Sequence, residues 1–244
     1  MPNLSTMQGY RIYPLGDMAL IVDFGAFISP ELNDCVLSLH RSLIANPFEG
    51  FVESVPAYGT LAVYYDLADL RNHFGTRKGT VSKWVEEILR ARIDVSVSEI
   101  GQEDFREVFI PVCYDLSFGF DLPQVAIHTG LSIPEVVNLH ISFPYRVYMI
   151  GFVPGFPYMG LLPPELEVPR KATPSISIPA GSVALAGRQT GIYPSNIPGG
   201  WQVIGRSPVR LFDIDRDPCC LLQPGMQVRF YEISLSEFEN LHNI

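Results

Sequence analysis

"PRKATPSISIPAGSVALAGRQTGIYPSNIPGGWQVIGRSP", residues 169–208, decides the fold of the second half of the chain. Its short apolar runs, "SISIPA", "SVALAG" and "WQVIG", are separated by Gly and Pro turn signals, the pattern of a tightly turning β-barrel or sandwich. The wider segment 151–210 holds 9 of the 20 glycines and 10 of the 21 prolines, with two acids against five bases. Disordered segments are poor in apolar residues and rich in charge, and this one has the opposite bias.

Immediately upstream, "YRVYMIGFV" (145–153) reads as a buried strand that leads into "GFVPGFPYMG" (151–160), an uncharged stretch with three glycines, two prolines and three large aromatics. Pro154 and Pro157 stiffen it, and Phe152, Phe156 and Tyr158 anchor it, so it reads as a rigid turn and one wall of a shared surface. Further out, "DLPQVAIHTGLSIPEVVNLHIS" (121–142) carries one or two short helices, with Ser132 and Glu135 spaced as a capping box, and "VFIPVCYD" (108–115) starts a β run.

The first part alternates α and β. "YRIYPLG" (10–16), "MALIVDFG" (18–25) and "VESVPAYGTLAVYYD" (52–66) are strand-like. Between them Ser29 caps, and Pro30 opens, a helix whose apolar face is Leu32, Cys35, Val36, Leu39 and Leu43. A second helix at "TVSKWVEEILRARI" (80–93) shows Val81, Trp84, Val85, Ile88 and Leu89 on one face. The division expected is an α/β domain over 1–95, a polar linker over 96–107 and a β-barrel domain over 108–244.

Composition excludes several functions. A net charge of -9 with a pI near 5.0 lacks the basic face that nucleic acid or anionic lipid requires. No apolar run reaches the roughly 20 residues of a membrane span, and no secretory signal is apparent near Met1, so a cytoplasmic protein is expected. Cys35, Cys113, Cys219 and Cys220 form no disulfide framework or C-x-x-C pair, and are expected to be reduced packing residues. Cys219 and Cys220 would point to opposite faces if they lie in a strand. The five histidines lack metal-ligand spacing, so no metal is expected. "DIDRDP" (213–218) begins like a calcium loop, but Pro218 and Pro224 stand at the wrong places, leaving a charged turn.

Common catalytic signatures are also missing. Ser182 sits in "AGSVA", without the second glycine of a nucleophile elbow, and neither a Walker A sequence nor a G-x-G-x-x-G occurs. The glycines 181, 187, 191, 199 and 200 with Arg170, Lys171 and Arg188 instead suggest a small-anion or acyl-substrate site. The alternative is that the glycines make turns and the cations are solvated. His140, just before the strand at 145, is a candidate proton carrier, with a hydrogen-bonded structural histidine as the other reading.

"GFVPGFPYMG", "IPAGSVALAGRQTGIYP" and "PGGWQVIGRSP", in that order, resemble the diagnostic blocks of the 5-oxoprolinase B-subunit family, also called allophanate hydrolase subunit 1 or KipI-like. "VESVPAYGTLAVYYD" and "LSIPEVVNLH" extend the likeness over most of the chain. The resemblance implies an α+β protein, with a ferredoxin-like α/β domain followed by a cyclophilin-like β-barrel. It implies ATP-dependent opening of the 5-oxoproline lactam to glutamate, beside the KipA-like C subunit and the A subunit of 5-oxoprolinase, with ATP shared among the three. Within that frame Arg170, Lys171 and Arg188 hold carboxylate or phosphate, and Gln189, Thr190, Gly191 and Tyr193 orient the substrate. His140 moves a proton, and Phe152, Pro154, Phe156, Ser182 and Trp201 wall the site. Lys171 and Ser175 stand where the family pattern usually has arginine; lysine keeps the charge without the fork, and serine keeps neither. Relatives imply two other functions: a KipI-like inhibitor of a sensor histidine kinase, or a component related to allophanate hydrolase and urea carboxylase.

Overall fold

A computed structural model describes residues 9–98 and 107–242. The chain divides into two compact units, 1–103 and 104–244.

In the first unit, β1 (Arg11–Pro14) and β2 (Ala19–Asp23) precede α1 (Pro30–Ala45). A hairpin of β3 (Phe51–Ala57) and β4 (Thr60–Tyr65) follows, then α2 (Leu67–Phe74) and α3 (Val81–Ser98). The antiparallel sheet runs β1-β2-β4-β3. Because β4 lies between β2 and β3, the β2–α1–β3 passage is a split β-α-β unit. Ser29 accepts a hydrogen bond from the Leu32 amide, as an N-cap should, and the predicted face of α1 is buried. Leu39, Leu43, Leu61, Val63, Val85 and Leu89 reach zero exposure, each burial contributing about 1.5–3 kcal/mol.

Two features of this unit differ from the sequence reading. Helix α2 is short, its apolar signal is a single buried Leu70, and it is held at its start by Asp66, which accepts from the Ala68 and Asp69 amides. Helix α3 continues to Ser98, into the stretch read as a linker; residues 99–106 of that stretch lie outside the described residues.

The second unit opens with β5 (Glu107–Val112), followed by the helices α4 (Leu122–Thr129) and α5 (Ile133–Ile141). Strands β6 (Pro144–Ile150), β7 (Pro157–Gly160), β8 (Ser175–Ile178), β9 (Ser182–Ala186), β10 (Gln189–Ile192), β11 (Ile197–Gly199), β12 (Gln202–Arg206) and β13 (Gln227–Glu232) come next, and α6 (Leu235–His242) closes the unit. Seven of these strands form one sheet, in the order β12-β9-β10-β7-β6-β13-β5, while β8 and β11 pair separately. Pairing is antiparallel except for β13 with β5. The sheet curls until its two edges meet: the Cys113 amide donates to the Arg206 carbonyl at 2.8 Å, and the Arg206 amide donates back at 2.9 Å.

Glu135 completes the predicted capping box of α5, accepting from the Ser132 amide at 2.7 Å. The main core cluster of this unit includes Ile110, Val147, Leu185, Ile192, Ile204 and Phe230, and separate clusters gather around Phe156, Tyr193 and Trp201 and around Cys113, Ile233 and Phe238. No described helix is long and apolar enough to cross a membrane.

Candidate functional site

The link from β6 to β7 is the stretch 151–156. It is closed by the Gly151 amide donating to the Phe156 carbonyl at 3.1 Å and the Phe156 amide donating to the Val153 carbonyl at 3.2 Å. Phe156 is 2% exposed and packs edge-on to Tyr193 (5.2 Å between centroids) and Trp201 (5.5 Å), with Tyr158 tilted against it at 4.9 Å. Phe152 does not anchor the turn as expected. It adopts φ 70 and is 67% exposed, because the tight turn aims it outward. Pro154 is exposed beside it.

Behind this aromatic wall, the Tyr193 phenol accepts from the Trp201 backbone amide. Gly199 explains how it fits: a Cβ there would stand 2.2 Å from the Tyr193 hydroxyl. Burial raises the pKa of both Tyr158 and Tyr193, while the nearby Arg170 guanidinium pulls both down. Arg170 is thus an exposed cation whose charge acts on two phenols, and it makes no ion pair with any described residue.

Its neighbour Lys171 is committed elsewhere. Lys171 Nζ lies 2.5 Å from Asp121 Oδ2, donates to Ser175 Oγ at 3.1 Å and sits 5.0 Å from the centre of the Phe120 ring. Asp121 stands at the N-cap of α4 but leaves the cap unmade, because its carboxylate also accepts from the Val203 amide at 2.7 Å. The two positions that depart from the family pattern, Lys171 and Ser175, are therefore bonded to each other.

The remaining predicted residues lie in three settings. Arg188 forms, with Gly187, the two-residue turn between β9 and β10, and its Nε and Nη2 donate to the Leu162 carbonyl at 3.1 and 3.0 Å. Gln189 pairs across to Gly160 on β7. Gly191 is a packing requirement: a Cβ there would meet the Pro157 carbonyl at 2.9 Å and the Phe156 ring at 3.0 Å. Ser182 is buried in β9, and its carbonyl accepts from the Tyr193 amide.

His140 and Thr190 are in the core. His140 is 0% exposed, stacked on Phe230 at 4.7 Å and Tyr145 at 5.4 Å. Nδ1 is 2.7 Å from the Tyr114 hydroxyl and Nε2 is 3.1 Å from Thr190 Oγ1, so one ring nitrogen donates and the other accepts. Burial pushes its pKa down to about 3. A neutral imidazole with both nitrogens engaged does not cycle its charge near pH 7, so the geometry supports the structural reading over the proton carrier.

Asp121, Phe120 and Tyr158 are absent from the predicted set. Only the lysine in place of arginine at 171 hints at a carboxylate partner, and that partner is fifty positions away in sequence. Among the described residues no three His, Cys, Asp or Glu side chains are grouped to hold a metal.

The family model described as carboxyltransferase domain, subdomain C and D, matches residues 10–222. The chain is 40% identical over 229 residues to the 5-oxoprolinase B subunit of Bacillus subtilis (strain 168), covering 94% of this chain and 95% of that protein. It is 38% identical over 227 residues to the 5-oxoprolinase B subunit of Escherichia coli O157:H7, covering 92% and 96%. Among solved structures it is similar to TTHA0988, with TM-score 0.73 and 40% identity over 88% of this chain, which spans 40% of that longer chain. On these matches, the chain belongs to the 5-oxoprolinase B-subunit family.

Proposed function

We propose that this chain is the B subunit of an ATP-dependent 5-oxoprolinase and that Arg170 holds the substrate carboxylate while the lactam is opened to glutamate. The observation that carries this reading is the exposed Arg170 guanidinium, unpaired among the described residues, whose charge acts on Tyr158 and Tyr193. A guanidinium takes a carboxylate through two parallel hydrogen bonds, and the half-exposed Tyr158 ring offers an apolar face to a five-membered ring.

An amide is a poor electrophile, and ATP supplies the phosphoryl group that turns its oxygen into a leaving group. The described residues of this chain do not fit a triphosphate cradle. Lys171 is neutralised by Asp121, Arg188 is spent on Leu162, and Arg206 Nε donates to the Ala180 carbonyl at 2.8 Å. The nucleotide and the phosphoryl step therefore belong, in this reading, to the A and C subunits in a cytoplasmic complex.

The strand orders support a finer reading of the fold. The first unit is ferredoxin-like, with β1 from the front of the chain taking the edge normally filled by a strand after the second helix. The second unit is a cyclophilin-like barrel.

Co-expression with the A and C subunits, followed by measurement of glutamate released from 5-oxoproline with and without ATP, tests the function. ATP-dependent glutamate only when all three chains are present is the expected result. No glutamate from a well-assembled complex overturns it, and suppression of kinase autophosphorylation by this chain alone would put the KipI-like inhibitor in its place.

A further inference from the structure

A cleft of about 80 Å³ lies beside α4, lined by Gln124, Val125, His128, Val168, Pro169 and Gln202. Three walls meet there, and bonds pin each to the next. The Asp121 amide donates to the Val203 carbonyl at 3.0 Å and its carboxylate accepts from the Val203 amide at 2.7 Å, which ties the start of α4 to β12. Lys171 ties the 168–171 segment to the same carboxylate at 2.5 Å. Gln202 Nε2 donates to the Pro169 carbonyl at 3.1 Å and so joins β12 to that segment. Val168 and Gly187 exchange backbone hydrogen bonds, with the Gly187 amide 2.6 Å from the Val168 carbonyl. The cleft is thus formed before any ligand arrives, which lowers the entropy lost on binding.

The lining divides by chemistry. Val125 and Val168 are each 1% exposed and, with Pro169, give an apolar floor. Gln124 and His128 are exposed, four residues apart on one face of α4. Neither side chain is bonded to any described residue, and Gln202, its amide nitrogen engaged with Pro169, keeps its side-chain oxygen as an acceptor. Among the described residues no Lys, Arg, Asp or Glu lines the cleft.

We infer that this cleft is a second binding site, for neutral single-ring amides of the lactam and imide class. Its volume accommodates about five to eight water-sized groups, which is one ring with its substituents. A charged ligand would lose its water there without a counter-ion in the lining, so a neutral one is selected. The Gln124 carboxamide presents a C=O and an N–H along one edge. A ring amide, whose own N–H and C=O are held cis, presents the complementary pair and takes both in parallel hydrogen bonds. His128 and the Gln202 oxygen remain for a second carbonyl or N–H. The site goes beyond the carboxylate hold at Arg170, because a ring amide binds here without a carboxylate.

Amide-detected NMR of the full chain, titrated with γ-butyrolactam, tests this. The side-chain amide signals of Gln124 and Gln202 and the backbone signals of Val125 and Val168 should shift together and saturate, in the millimolar range of so small a ligand. N-methyl-γ-butyrolactam, which lacks the donor, should bind roughly tenfold more weakly. Gln124→Leu, at an exposed helical position, should keep the urea midpoint and weaken binding of γ-butyrolactam by a similar factor. Shifts that do not saturate, equal binding of the lactam and its N-methyl form, or native affinity in Gln124→Leu would each overturn the site. The probe has no carboxylate and the readout is binding to this chain alone, so a failure here leaves the 5-oxoprolinase reading standing, and the glutamate assay decides that reading separately.

Discussion

Lys171 and Asp121 are paired at 2.5 Å, with 15% and 17% of their side chains exposed, and the pair joins the start of the β8 segment to the start of α4. An ion pair so placed positions the backbone on both sides of it. Lys171 also donates its amide to the Gly200 carbonyl at 2.7 Å, and Asp121 also holds the Val203 amide. The exposed Arg170 is thereby fixed at its root while its guanidinium stays available.

Asp121→Asn should destabilise the second unit by about 2 kcal/mol, because it strands a largely buried ammonium while keeping an acceptor for Val203. Urea unfolding of the variant and of Lys171→Met, combined as a double-mutant cycle, checks this; equal and additive losses would show that the two side chains do not act as a pair.

Arg170→Gln should lower glutamate formation by the assembled complex by roughly 10- to 100-fold, mostly through the apparent affinity for 5-oxoproline, since a charge-assisted hydrogen bond contributes about 1.5–3 kcal/mol. The urea midpoint should stay the same. Wild-type kinetics in a well-folded variant would move the carboxylate site elsewhere.

Arg188→Ala should behave differently. Its guanidinium holds the Leu162 carbonyl, so the variant should lose on the order of 1 kcal/mol of stability and keep its turnover per assembled complex. Loss of turnover at unchanged stability would restore Arg188 to the substrate.

His140 gives the second unit a defined acid sensitivity. Its folded pKa, about 3, lies below the ordinary histidine value of 6.5, so the unfolded chain binds the proton more readily. The contribution to stability is therefore complete above 6.5, and is lost as pH falls toward 3 at about 1.4 kcal/mol per pH unit. Urea midpoints measured through this window should fall less steeply for His140→Gln than for the native chain. Parallel slopes would refute the assignment.

The legible parts of this fold are those whose signal is local. The α1 face, the Ser29 cap, the Ser132–Glu135 box and the strand runs "SISIPA", "SVALAG" and "WQVIG" all follow from period and turn chemistry. Helix α2 escapes such a reading because eight residues with one buried leucine carry almost no periodicity. The basic segment is plain in the sequence, but charge alone does not say which cation is spent. Lys171 meets Asp121 and Arg188 meets Leu162 through long-range packing, leaving Arg170 exposed. His140 stands out for its position before a strand, whereas its partners Tyr114 and Thr190 lie 26 and 50 residues away in sequence.

The parallel pairing of β5 with β13, Glu107 against Gln227 through Val112 against Glu232, has a consequence for how the protein is made. The first strand of the second unit has its ladder neighbour in the last. A ribosome delivering the chain from its N-terminus leaves β5, with its buried Ile110 and Val112, without that neighbour until almost the whole unit has emerged. Contacts of such sequence separation form slowly and expose strand edges meanwhile, so this unit completes its fold only after synthesis is nearly finished, and its nascent form is the one that most needs protection from aggregation.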